Sequence, residues 1–293
     1  MDRSEQRYRI EATGWQRGVY DDIQTTFRAP IVNWIWRTTM ANYPDFCRYL
    51  WAQVKPIFET RAFARYSVRY RETVLSTIEA DVEIPRYRRS DLDVSPAEYT
   101  ELRGQLATFD VVAPRLAVLF RVTNRALQDE SVGTALDRDR AATAPFPEWL
   151  DSGRGRAPSM VPAEAFDEAT AETAERFRAF HGFDDGLPSI YRCLAQWPAL
   201  FDALWADLGP VLESESFTTA CDRADERTEA FVDSVAYSPR LAPDTLRSQG
   251  FDEECIGDAQ ALFREFDEGA IDDVIPGLHL WAATVDAVGE RDW

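Results

Sequence analysis

The stretch Ala41-Asn42-Tyr43-Pro44, followed by Trp51, Pro56, Glu59 and Phe63, returns as Ala195-Gln196-Trp197-Pro198, followed by Trp205, Pro210, Glu213 and Phe217, each partner 154 positions further on. Between these landmarks Leu50/Leu204, Ala52/Ala206, Val54/Leu208, Ile57/Val211 and Phe58/Leu212 keep apolar with apolar, and Arg69 is matched by Arg223. The chain reads as an internal duplication, two like helical units forming an intramolecular pseudo-dimer with a pocket at the seam. Such a pocket is lined by corresponding residues from both halves.

Elsewhere apolar residues recur at helical spacing, as in Tyr20, Ile23, Phe27 and in Leu116, Leu119, Phe120, Leu127, and alternating strand patterns are nearly absent. Ser95-Pro96-Ala97-Glu98 has the residues of a helix start: a capping serine, a first-turn proline, and a glutamate that reaches back to the cap. Pro44 and Pro198 each end one helix and begin the next, because proline fixes its own φ and moves the preceding residue out of the α region. The expected fold is all-α. A Pro/Gly-rich stretch containing Pro145-Phe146-Pro147 and Ser152-Gly153-Arg154-Gly155-Arg156 separates the halves. The expected division is repeat 1 over 16–128, a surface linker over 129–165, and repeat 2 over 166–288.

Acidic residues number 51 against 32 basic, for a formal charge of −19, and Lys55 is the only lysine. Surface carboxylates with almost no lysine suit concentrated salt, where charge repulsion is screened within about 3 Å at 1 M. A phosphate-backbone partner needs a positive face, so nucleic acid is not expected; the run Arg86-Tyr87-Arg88-Arg89 is short and reads as a solvated loop. No segment approaches the roughly 18 apolar residues of a membrane span, and the N-terminus has no apolar signal region. A soluble cytoplasmic protein with no membrane partner and a possible homodimer is expected. Cys47, Cys193, Cys221 and Cys255 form no Cys-x-x-Cys and read as small buried hydrophobes.

Most catalytic constellations are missing. His181 and His279 are the only histidines, and they lack metal-ligand spacing. Neither a nucleophile elbow nor a phosphate-binding glycine loop occurs. No metal or cofactor is expected, and no role is assigned to either histidine.

Tyr20-Asp21-Asp22-Ile23, Arg28-Ala29-Pro30-Ile31-Val32, Phe109 to Pro114-Arg115 to Leu119, and Gly186 to Ser189 to Leu194-Ala195-Gln196-Trp197-Pro198 resemble, in order and spacing, the group I 2-haloacid dehalogenases, also called halocarboxylic acid dehydrogenases. The resemblance runs from about Tyr20 to about Thr284. It implies a duplicated all-α hydrolase that releases halide from short 2-haloalkanoic acids. In that family an aspartate activates water to attack Cα directly, and an asparagine helps to hold that water.

Both side chains are replaced in this chain. The family's aspartate lies between a serine and an aromatic residue, where the sequence reads Ser189-Ile190-Tyr191; its asparagine precedes a proline and a basic residue, where the sequence reads Ala113-Pro114-Arg115. The residues implied around the pocket are Ile31, Trp34, Ala113, Ser189, Ile190 and Tyr191, with Trp36 beside them, and the same aromatics also fit ordinary helix-packing core. Asp110, three residues before Ala113, is the first candidate for a replacement base, ahead of Asp184 and Asp185, although each also reads as solvent-facing. Arg37 and Arg192 are candidates for binding a substrate carboxylate, or for pairing with nearby acids. Two functions stay open: a dehalogenase-like hydrolase, or a non-catalytic small-acid-binding or sensory module that retains the inter-repeat pocket. Pro188-Ser189-Ile190-Tyr191-Arg192 also echoes the alkylhydroperoxidase-like hairpin, whose redox cysteine pair is absent.

Overall fold

The computed structural model describes residues 1–133, 143–184 and 186–293. Among them the chain is helical, and the only β-type pairing is an isolated bridge between Thr60 and Pro145. Repeat 1 runs α1 (Gly14–Phe27), α2 (Trp34–Asn42), α3 (Pro44–Phe58), α4 (Arg61–Glu79) and the long α5 (Pro96–Leu127). Repeat 2 runs α6 (Glu168–His181), α7 (Ser189–Leu194), α8 (Pro198–Leu212), α9 (Glu215–Asp233), α10 (Pro243–Ser248), α11 (Glu253–Glu268) and α12 (Val274–Ala283). The ends of α1/α6, α3/α8 and α4/α9 keep the sequence offset to the residue.

Local chemistry repeats with it. Tyr43 and Trp197, the caps before the paired prolines, adopt nearly the same backbone, φ −135°, ψ 72° and φ −127°, ψ 75°. Thr60 and Ser214 cap α4 and α9 by accepting from the backbone N–H groups of Phe63 and Phe217. Arg28 and Gly182 end α1 and α6 in the left-handed region. Arg28 is an unusual residue there; its guanidinium donates to the carbonyls of Pro147, Glu148 and Leu150, tying the inter-repeat segment to the end of α1.

The halves differ where α5 meets its counterpart. α5 continues through Pro114, whose missing N–H leaves the Asp110 carbonyl without its helical partner. In repeat 2 the matching segment is divided between α11 and α12.

The seam is formed by equivalent helices. α4 and α9 cross antiparallel, with Tyr66 Oη and Thr228 Oγ1 2.8 Å apart, Arg227 donating to Thr73 Oγ1 at 2.7 Å, and Arg223 donating to Thr77 Oγ1 at 3.2 Å. Thr73 and Arg227 are themselves corresponding positions, and a residue meets its own equivalent where a two-fold axis passes. One continuous apolar core extends through both halves. No helix among the described residues is long and apolar enough to cross a membrane.

The inter-repeat segment departs from the expected surface linker. Part of it lies outside the described residues, and within the remainder Leu150 and Asp151 are buried. Leu150 packs against Ala64 and Val68 of α4, and the Asp151 carboxylate meets arginines that the helices bury.

Candidate functional site

Along α5, Asp110, Ala113, Ala117 and Arg121 succeed one another at helical spacing and share a face. Along α12, Ile275, Pro276 and His279 do the same. The lower ends of both faces, with Tyr70 of α4 and Ala224 of α9, border a cavity of about 20 Å³, room for about one water. Tyr70/Ala224 and Arg121/Ile275 are corresponding pairs, so this small space lies on the seam and draws from both halves.

One rim of the cavity is acidic. Arg121 donates to Asp225, Glu229 and Asp267 at 2.5, 2.6 and 2.9 Å. Among the described residues Asp272 makes no ion pair; burial, then the nearby Asp225 carboxylate, pushes its carboxyl up to about 7. The folded chain therefore holds this proton more tightly than the unfolded chain, whose carboxyl titrates near 3.8. Ionising Asp272 lowers stability as pH rises from about 4 through about 7. Asp272→Asn is expected to raise the melting temperature at pH 8 and to leave it unchanged near pH 4; thermal melts at the two pH values check this.

The upper ends of the same faces enter a buried ion cluster. Asp110 Oδ1 accepts from Arg71 Nε at 2.9 Å and from His279 Nδ1 at 2.6 Å, while Oδ2 accepts from Arg154 and from the Gly289 N–H, each at 3.0 Å. Asp151 meets Arg71, Arg115 and Arg154 at 3.5, 3.1 and 3.0 Å. Asp110, Asp151, Arg71 and Arg115 have no side-chain exposure. Two close approaches depend on glycine: a Cβ at Gly155 would lie 2.3 Å from Thr108 Oγ1, and one at Gly289 would lie 2.3 Å from Arg154 Nη1.

Protonation follows from this geometry. Burial alone would raise the Asp110 carboxyl, but Arg71, the His279 hydrogen bond and Arg154 hold it well below the usual carboxylate range. His279 is pushed the other way: burial lowers it, Asp110 opposes, and Arg71 and Arg154 add to the lowering. A neutral imidazole facing an acceptor-only carboxylate carries its hydrogen on Nδ1. His279 Nε2 is then left as a buried lone-pair atom without a hydrogen-bond partner among the described residues.

The expected site residues fall in three places. Asp110 is in the ion cluster rather than at the solvent face, and Ala113 lies one turn beyond it, fully buried. Ile31, Ile190 and Tyr191 are in the apolar core, with Ser189 half-buried at the start of α7. The Tyr191 hydroxyl is 2.5 Å from His181 Nε2, and its ring stacks on Phe177. Trp34 is half-buried and stacks on Phe266 of the other repeat at 5.4 Å, while Trp36 packs edge-on against Trp51. Asp184 is exposed, and Asp185 lies outside the described residues.

Arg37 donates to Gln6 and to the Val32 carbonyl, and Arg192 donates to the Val161 carbonyl. Burial, with a smaller contribution from Arg192, lowers the Arg37 guanidinium. Sequence reasoning missed His279, Arg71, Arg154 and Asp151. Among the described residues no group of three or more His, Cys, Asp or Glu side chains is arranged to hold a metal ion.

Comparison with known proteins gives the architecture a lineage. Residues 30–175 match the family described as halocarboxylic acid dehydrogenase DehI. An (R)-2-haloacid dehalogenase of Rhizobium sp. (strain NHG3) is 25% identical over 239 residues, covering 80% of this chain and 89% of the relative. A D-2-haloacid dehalogenase mutant in complex with D-2-CPA and a D-2-haloacid dehalogenase in complex with L-LA each superpose with a TM-score of 0.82 at 17% identity, over 96% of this chain and 95% of theirs. Those two structures share its fold. Family match, curated relative and whole-length fold agree with the sequence resemblance: the chain belongs to the halocarboxylic acid dehydrogenase DehI family, as a divergent member.

Proposed function

We propose that this haloacid dehalogenase-like protein hydrolyses a short 2-haloalkanoic acid by direct attack of water on Cα. In that step the water oxygen bonds to Cα, the carbon–halogen bond breaks, halide leaves with the bonding pair, and the water gives up a proton. The product is a 2-hydroxy acid. The observation that carries this reading is the fold shared over 96% of the chain with D-2-haloacid dehalogenases. The (R)-2-haloacid dehalogenase relative supports the substrate class. Ile190 and Ala113 stand at the positions that resemblance assigns to the family's base and its partner, and neither can take a proton.

The test is bromide release from each enantiomer of 2-bromopropionate in concentrated potassium chloride, the medium that the acidic composition suggests. Bromide can be measured against a chloride background. The reading expects release above the protein-free control with at least one enantiomer; no release with either ends it.

One observation favours a second reading, a small-acid-binding or sensory module without turnover: Ile190 and Ala113 are both sealed in the core, at 1% and 0% exposure. That reading expects thermal stabilisation by 2-bromopropionate or lactate, about 2.7 kcal/mol at a hundredfold excess over Kd, with no bromide formed. An unchanged melt with both acids rules it out.

A further inference from the structure

We infer that His279, held by Asp110, is the proton acceptor for the attacking water, in place of the family's aspartate. This inference rests on the dehalogenase reading and deepens it. Asp110 was the candidate base on sequence, but its two oxygens already accept from Arg71, Arg154, Gly289 and His279, so its lone pairs are committed and its carboxylate is a poor proton acceptor. The imidazole beside it has the complementary properties. Nδ1–H is fixed by a 2.6 Å bond to the carboxylate, which sets ring and tautomer, and Nε2 keeps an unused lone pair.

Position supports the same assignment. His279 shares a face of α12 with Ile275 and Pro276, which line the water-sized cavity, and Tyr70, another lining residue, packs edge-on against the imidazole at 5.6 Å. Ala113, where the family's asparagine would stand, lies on α5 between Asp110 and the cavity-lining Ala117. His279, Asp110 and Ala113 do not line the cavity themselves; they stand within two helical turns of its lining residues on the same faces of α12 and α5.

In the step, Nε2 takes one proton from water as the oxygen bonds to Cα and halide departs. The imidazolium so formed is stabilised by Asp110, a positioning residue, and later releases its proton to solvent. Arg71 and Arg154 limit how long that charge persists, because each disfavours a second cation beside it.

His279→Asn tests this directly. Its amide can still donate to Asp110 from near the Nδ1 position, while the Nε2 lone pair is gone. Bromide release from 2-bromopropionate is expected to fall by about 10²–10⁴-fold, in kcat rather than KM, with the melting temperature little changed. A variant with the wild-type rate overturns the inference and leaves the dehalogenase reading standing; wild-type protein that releases no bromide overturns both.

Should the variant fail to fold, the wild-type chain supplies the second measurement. With only two histidines, ¹⁵N-imidazole NMR contains two ring systems, assigned with His181→Gln. The inference expects His279 as the Nδ1–H tautomer, with an unprotonated Nε2 whose shift moves on addition of 2-bromopropionate. An Nε2–H tautomer, or a signal indifferent to that acid, overturns it.

Discussion

Asp151→Ala is expected to lower the melting temperature by roughly 10 °C, the effect of losing about 3–5 kcal/mol in a chain of this size. Its carboxylate is 2% exposed as a residue and meets three arginines, two of them fully buried. Removing it strips Arg115 of the one carboxylate it meets among the described residues and leaves Arg71 and Arg154 to share Asp110. The cost is not the loss of attraction alone: burying a guanidinium carries a desolvation penalty that persists when the partner is gone. The Phe63 and Phe146 rings, whose centres lie 5.6 and 5.7 Å from the Arg115 guanidinium, recover only a small part of this. The effect should also loosen the segment between the repeats, since Asp151 and Arg154 pin it to α4 and α5. Thermal melts in the same salt, compared with Glu172→Ala at the exposed pair with Arg176, give the measurement. A fall no larger than that of the control would show that the cluster does not hold the seam.

Much of the architecture is legible in the sequence because it is written in local or repeated signals. Proline positions, capping residues and helical spacing act over a few residues, and the duplication lets each half check the other. Ser95 and Glu98, for example, form the reciprocal cap their spacing indicates, at 3.2 and 2.8 Å. The ion cluster is a different kind of object. Asp110 finds Arg71, Arg154 and His279 across 39, 44 and 169 positions, and no periodicity connects them. In a chain with 51 acids a single aspartate on a helix reads as solvated, and Arg154 between two glycines reads as linker. The one available hint was that Asp110 lies on the apolar face of α5, among Leu106, Ala113 and Ala117, where an unpaired carboxylate would be costly. Divergence between the repeats hid the rest: the offset projects His279 onto Arg125 of α5, whose guanidinium pairs with Glu229 and Asp233, so the duplication does not mark the histidine.

Reinstating the family's side chains is expected to free catalysis from His279. In a His279→Asn background, Ile190→Asp together with Ala113→Asn should raise bromide release from 2-bromopropionate by about 10²–10⁴-fold, the usual contribution of a positioned general base. Position 190 lies in the first turn of α7, where the helix end favours a carboxylate. Aspartate is also smaller than isoleucine, leaving space for a water beside it. Ile190→Asp alone should be the least stable of the set, since it introduces a carboxylate into the apolar core at a site with 1% exposure. Initial rates measured for the single, double and triple variants, each with its melt, separate chemistry from folding. Recovery in the triple variant, with no dependence on the imidazole, would mean that the seam still accepts a 2-halo acid and that the two bases are alternative solutions on one scaffold. A folded triple variant that releases no bromide would mean that the seam no longer admits the acid, leaving the wild-type chain without a substrate for either base.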